Sequence, residues 1–117
     1  MTLREFYGNI GGSYEDTLRR LINEKLMRKY LLKFAESQDY DHLLEAVEAQ
    51  RWEEAFRHSH NLKGVCLNLG LDKLADASSR LCELLRGGSP DSDPAPLTAE
   101  VQAAHAQVME GLRALDE

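Results

Sequence analysis

All three prolines of the 117-residue chain, Pro90, Pro94 and Pro96, fall inside one short stretch, Ser89 to Pro96, and nothing before it contains a proline. Proline removes a backbone donor and breaks helix interiors, so the long N-terminal part can run through helices with glycine as its main punctuation. Residue usage decides between helix and sheet. Leucine and alanine together number 31, whereas valine, isoleucine and threonine together number 9, which favours helix and deprives a sheet of its usual residues. The expected fold is all-α.

Local signals divide the chain. Thr2 with Glu5, and Ser13 with Asp16, have the form of N-terminal capping boxes, and they predict two short helices, about 3–9 and 14–22, on either side of Gly11-Gly12. Asn23 can cap a third helix to about Glu36, whose Leu26, Met27, Tyr30, Leu31 and Phe34 recur at three and four. Asp39 can cap a fourth, about 40–50, with Leu43, Leu44 and Val47 facing inward. The break at Gln50-Arg51 carries no glycine, proline or capping residue and rests on a change of apolar phase. A helix over 52–69 should end at Gly70 in a left-handed cap, and another over about 71–86 should end at Gly87-Gly88. Residues 87–97 read as a proline loop, after which Thr98 can cap a last helix through about Leu115. Too few residues follow the loop to bury a core alone. Packing the last helix back onto its predecessors gives an antiparallel four-helix bundle over about 24–115, with the short N-terminal helices added, as one domain over 1–117.

A net charge of −6 repels phosphate backbones and anionic lipid, so neither nucleic acid nor a membrane surface is expected as a partner. No run approaches the ~20 apolar residues of a membrane span, and Met1-Thr2-Leu3-Arg4-Glu5 lacks a signal peptide's basic and apolar regions, so a cytoplasmic location is expected. Cys66 and Cys82 are too far apart for a CxxC pair and read as reduced, buried thiols.

The helix over 52–69 departs from a plain bundle helix. At 100° per residue, Trp52, Ala55, Ser59, Leu62, Cys66 and Leu69 share one core-facing stripe. His60 lies roughly 130° from the centre of that stripe, so its ring should stand in solvent. Phe56, Lys63, Gly64 and Leu67 share or border its face. Gly64 costs about 1 kcal/mol relative to alanine inside a helix, so something should need the missing side chain: either a partner approaching the imidazole or close packing against another helix. Phe56 and Leu67 on a wet face suggest a docking patch, although single exposed apolar residues are common. Lys63 is placed to contact oxygens of a phosphoryl group on the ring, or is an ordinary solvated lysine. Imidazole, with its usual pKa near 6.5, offers a neutral nucleophilic nitrogen at cytosolic pH.

His60-Asn61-Leu62-Lys63-Gly64, followed by Leu69-Gly70 and the helix Leu74 to Leu85, resembles the histidine-containing phosphotransfer (HPt) domain of multistep two-component signalling. The likeness is best from Trp52 to Arg86 and rests on helix order elsewhere. It implies a four-helix bundle that carries a phosphoryl group on His60, with Lys63 steadying its oxygens and Gly64 leaving room for a receiver domain. Such a protein is a carrier without turnover of its own and without a cofactor or metal, taking phosphate from a receiver aspartate and passing it on. The partners implied are a response-regulator receiver domain, a hybrid histidine kinase, or both, with the carrier expected as a monomer. Cys82 departs from relatives that place a polar residue there to hydrogen-bond near the histidine. The alternative is a helical adaptor that binds a receiver or kinase through Phe56 and Leu67 without accepting phosphate.

The other histidines have plainer readings. His58 and His60 point roughly 160° apart on a helix and cannot share a metal, and His58 reads as a boundary residue. His42 and His105 lie on separate helices without a Glu-x-x-His pair, against a di-metal site. No set of nucleophile, base and orienting group suggests an enzyme.

Overall fold

Thr2 opens the first helix with the reciprocal box its sequence suggests: its hydroxyl accepts from the Glu5 N–H at 3.1 Å, and the Glu5 carboxylate accepts from the Thr2 N–H at 2.9 Å. A computed structural model describes residues 1–115, which form seven helices and no strand. These are α1 (Leu3–Asn9), α2 (Tyr14–Leu21), α3 (Glu24–Glu36), α4 (Asp39–Glu48), α5 (Trp52–Leu69), α6 (Asp72–Leu85) and α7 (Ala95–Arg113). Asn23 caps α3 as expected, its side-chain oxygen accepting from the Leu26 N–H at 2.9 Å.

Three expected caps are not made, and each of the side chains bonds elsewhere. Ser13 makes no cap bond to α2; its hydroxyl donates to Asp72 at 3.3 Å and its N–H to the Gly70 carbonyl at 3.1 Å. Asp39 is the first residue of α4 instead of its cap, and its carboxylate lies 3.1 Å from His58 Nδ1. Thr98 lies within α7, its hydroxyl donating back to the Pro94 carbonyl at 2.8 Å. Because the first turn of a helix leaves its N–H groups unbonded, it tolerates proline. The helix therefore takes in Pro96 and begins at Ala95, where Asp93 accepts the N–H at 3.0 Å. The proline loop is correspondingly shorter than the sequence suggests.

The unmarked break after α4 has a specific geometry. Gln50 adopts φ +58°, the Gln50 N–H donates to Val47 O at 3.1 Å and the Arg51 N–H to Ala46 O at 2.8 Å. This is the paired-bond helix ending that usually recruits glycine, here built on glutamine. α2 stops one residue early because Ile22 has φ +81°. Gly70 ends α5 at φ +69° as expected, and a Cβ there would clash with the Thr17 hydroxyl.

α5 is the axis of the molecule. α4 and α6 pack along it, α6 packs on α7, and α3 touches both α5 and α7. The Tyr40 ring of α4 lies 3.5 Å from and parallel to the His105 ring of α7, closing the bundle on its fourth side. Arg80 of α6 pairs with Asp76 on its own helix and with Glu100 of α7. The core holds Met27 and Leu31 from α3, Leu43 from α4, Leu62 and Leu69 from α5, Leu74, Leu81 and Leu85 from α6, and Val101 from α7. Trp52, expected in the core stripe of α5, is half-buried at its edge.

α1 and α2 grip the last turn of α5. Leu3, Phe6 and Tyr7 are fully buried. The Tyr7 hydroxyl donates to the Leu69 carbonyl at 2.7 Å, and Arg20 donates to the Asn68 carbonyl at 2.7 Å. These bonds satisfy carbonyls that a helix C-terminus leaves without an internal donor. Cys66 and Cys82 are free and buried, and burial pushes the Cys66 thiol up to about 12. Among the described residues no helix is long and apolar enough to cross a membrane.

Candidate functional site

The apolar spacing of α5 separates its two faces. Ala55, Ser59, Leu62, Cys66 and Leu69 are buried, and the Ser59 hydroxyl is satisfied within the helix by donating to the Phe56 carbonyl at 2.8 Å. His60, on the other side, is exposed. It projects from the middle of an 18-residue helix held on both flanks, so the ring is free in solvent while its backbone is rigid.

The neighbours expected from helical spacing fall as follows. Phe56 is half-buried, with its ring 6.1 Å from the His60 ring. Gly64 is exposed, and a Cβ added there would find nothing within 4 Å. No other helix lies against it, which removes close packing as the reason for the glycine. Lys63 is half-buried, and Leu67 is 54% exposed. Val65, 40% exposed, adds a further apolar side chain on this helix.

Four residues enter the site that sequence reasoning did not assign to it. A shallow pocket of about 370 Å³ is lined by Phe56, Arg57, His60, Asn61 and Arg86. The Arg86 guanidinium, just beyond the end of α6, sits 5.2 Å from the centre of the Phe56 ring. It is held by Glu83 through two bonds, Nε to Oε2 at 3.2 Å and Nη2 to Oε1 at 2.8 Å. Arg86 holds the Glu83 carboxyl below the usual carboxylate range, and the charge of Lys63 acts in the same direction. The Glu83–Arg86 spacing was legible as a local helix pair. Its position beside Phe56 depends on how α6 lies against α5.

The remaining histidines are elsewhere. His58 is half-buried against Asp39, with the His42 ring 5.2 Å from its own, in keeping with a boundary role. His105 lies between Tyr40 and Phe34, and burial lowers its pKa, with Asp41 opposing. Among the described residues no group of three or more histidine, cysteine or acidic side chains could hold a metal ion.

The family model of the Hpt domain matches residues 27–114, well over half of the chain. The chain belongs to the Hpt domain family. No curated protein and no solved structure matches it. Membership gives this Hpt domain a phosphotransfer role in two-component signalling, in a family whose members are phosphocarriers that interact with receiver domains and kinases. The matched region of the Hpt domain runs from α3 through α7 and includes all of α5 and α6; α1 and α2 precede it.

Proposed function

We propose that this Hpt domain is a phosphoryl carrier in a multistep relay, taking the group onto His60 from a receiver-domain aspartate and passing it to the next partner. The observation that carries this reading is the solvent-facing His60 ring on a rigid helix with an open backbone turn, Gly64, beside it. At Gly64 no side chain of the chain itself stands in the way of a group approaching the helix backbone beside the imidazole. The lone pair of a ring nitrogen, Nε2 in our reading, forms the N–P bond while the P–O bond to the aspartate breaks and its electron pair leaves with the carboxylate.

Such a transfer depends mostly on positioning and charge. Lys63 is assigned to the phosphoryl oxygens, and Phe56, Gly64 and Leu67 to docking. The chain acts as a cytoplasmic monomer and a single module, without independent turnover. Its net charge is −6, yet Arg57 and Arg86 line the pocket of His60, which supports an anionic visitor at this place.

The test is incubation with a phosphorylated receiver. The parent protein should acquire acid-labile phosphate and His60→Gln should acquire none. Equal labelling of the variant would exclude His60 as acceptor, and binding without labelling of the parent would leave a helical adaptor.

A further inference from the structure

Resting on that reading, the geometry points to an exchange of partners by Arg86. We propose that the Glu83 carboxylate stands in for the phosphoryl group in the unphosphorylated protein, holding Arg86 beside the pocket, and that phosphorylation of His60 draws the guanidinium from Glu83 onto the phosphoryl oxygens. Glu83 thereby sets how strongly the carrier retains its cargo.

Three observations carry the exchange. Arg86 and His60 line the same pocket and flank the same Phe56 ring, the guanidinium 5.2 Å and the imidazole 6.1 Å from its centre. Arg86 is already engaged by an anion through two nitrogens, the planar fork arrangement that suits a phosphoryl group equally well. The pair is more than half exposed on both sides, 53% for the arginine and 60% for the glutamate, and exposed ion pairs hold weakly. A phosphoryl group offers more negative charge and one more acceptor oxygen than a carboxylate, so it wins the competition. The Phe56 ring face, 5.2 Å from the guanidinium carbon, keeps a favourable neighbour beside the cation while it changes partner.

The charges around Glu83 make it the natural competitor. Its carboxyl is held ionised by Arg86 and, through space, by Lys63. The carboxylate thus occupies the cation that the phosphoryl group would use, and removing its charge should strengthen the Arg86 contact.

The test uses the full chain phosphorylated with phosphoramidate, in which the donor P–N bond breaks, ammonia leaves and the N–P bond to His60 forms. His60→Gln is the control. The readout is the pH midpoint of the phosphoryl group's last ionisation, followed by phosphorus-31 NMR, because a merely structural ion pair would not move it. Removing a cation near the phosphoryl group raises this midpoint and removing a competing anion lowers it. Arg86→Gln should raise it by roughly half a unit or more, and Glu83→Gln should lower it by a similar amount. The Glu83→Gln shift should fall below half its size when Arg86 is already glutamine. A midpoint unchanged by Glu83→Gln overturns the exchange, and so does an equal shift with and without Arg86, which would mark a direct field effect. A parent chain that phosphoramidate leaves unlabelled at His60 overturns the carrier reading and the exchange together, whereas failure of the variants on a labelled parent overturns the exchange alone.

Discussion

Gly64 and Gly70 are six residues apart and have opposite reasons for being glycine. At Gly70 the backbone is left-handed and α2 occupies the space where a side chain would go. At Gly64 the backbone is ordinary helix and the space is empty. Folding and function can therefore be separated at Gly64. Gly64→Ala should stabilise the protein by about 0.8–1 kcal/mol through helix propensity, visible as a higher urea midpoint. It should also slow phosphoryl uptake from a receiver by roughly tenfold, because small displacements of reacting groups are costly. A variant that gains stability and transfers at the parental rate would show that the glycine is not kept for a visitor.

At the scale of elements, α4 and α7 meet through a ring stack whose histidine titrates. Burial lowers the His105 pKa in the folded protein, while the unfolded chain keeps the ordinary value of about 6.5. Between the two values the unfolded state binds more protons, so stability rises with pH across that window. Above about pH 6.5 both states are neutral and His105 contributes no slope. As pH falls below that, stability is lost until the folded-state value is reached. Melting temperature should therefore drop between pH 7 and pH 5, and His105→Phe, which keeps an aromatic ring on Tyr40, should show a shallower drop. An equally steep loss in the variant would place the acid sensitivity in other groups.

For the molecule as a whole, the N-terminal helices precede the matched Hpt region yet supply core. Leu3, Phe6 and Tyr7 are fully buried. Burying side chains of this size contributes about 1.5–3 kcal/mol each, and the total stability of a domain is about 5–15 kcal/mol. The Tyr7 and Arg20 bonds to the end of α5 would be lost as well. Deleting residues 1–22 should abolish or severely broaden the cooperative thermal transition followed by circular dichroism. A truncated protein that melts within a few degrees of the parent would make these helices an appendage.

Much of the architecture was written in local chemistry. The Thr2 box, the Asn23 cap, the Gly70 ending and the 3.6-residue spacing of α5 are decided within a few residues, and they suffice to put His60 on the wet face with Gly64 next to it. At two of the places where the chain departed from expectation, a distant group had entered the competition: Asp72 and Gly70 claimed Ser13, and His58 claimed Asp39. Gln50 adopted a backbone region usually left to glycine, with no mark in its side chain. The emptiness around Gly64, the ring of Phe56 shared by His60 and Arg86, and the hold of α1 and α2 on α5 all depend on the angles and offsets at which helices pack. Those are set by the combined shape of many side chains brought together from across the chain, and no short window of residues contains that information.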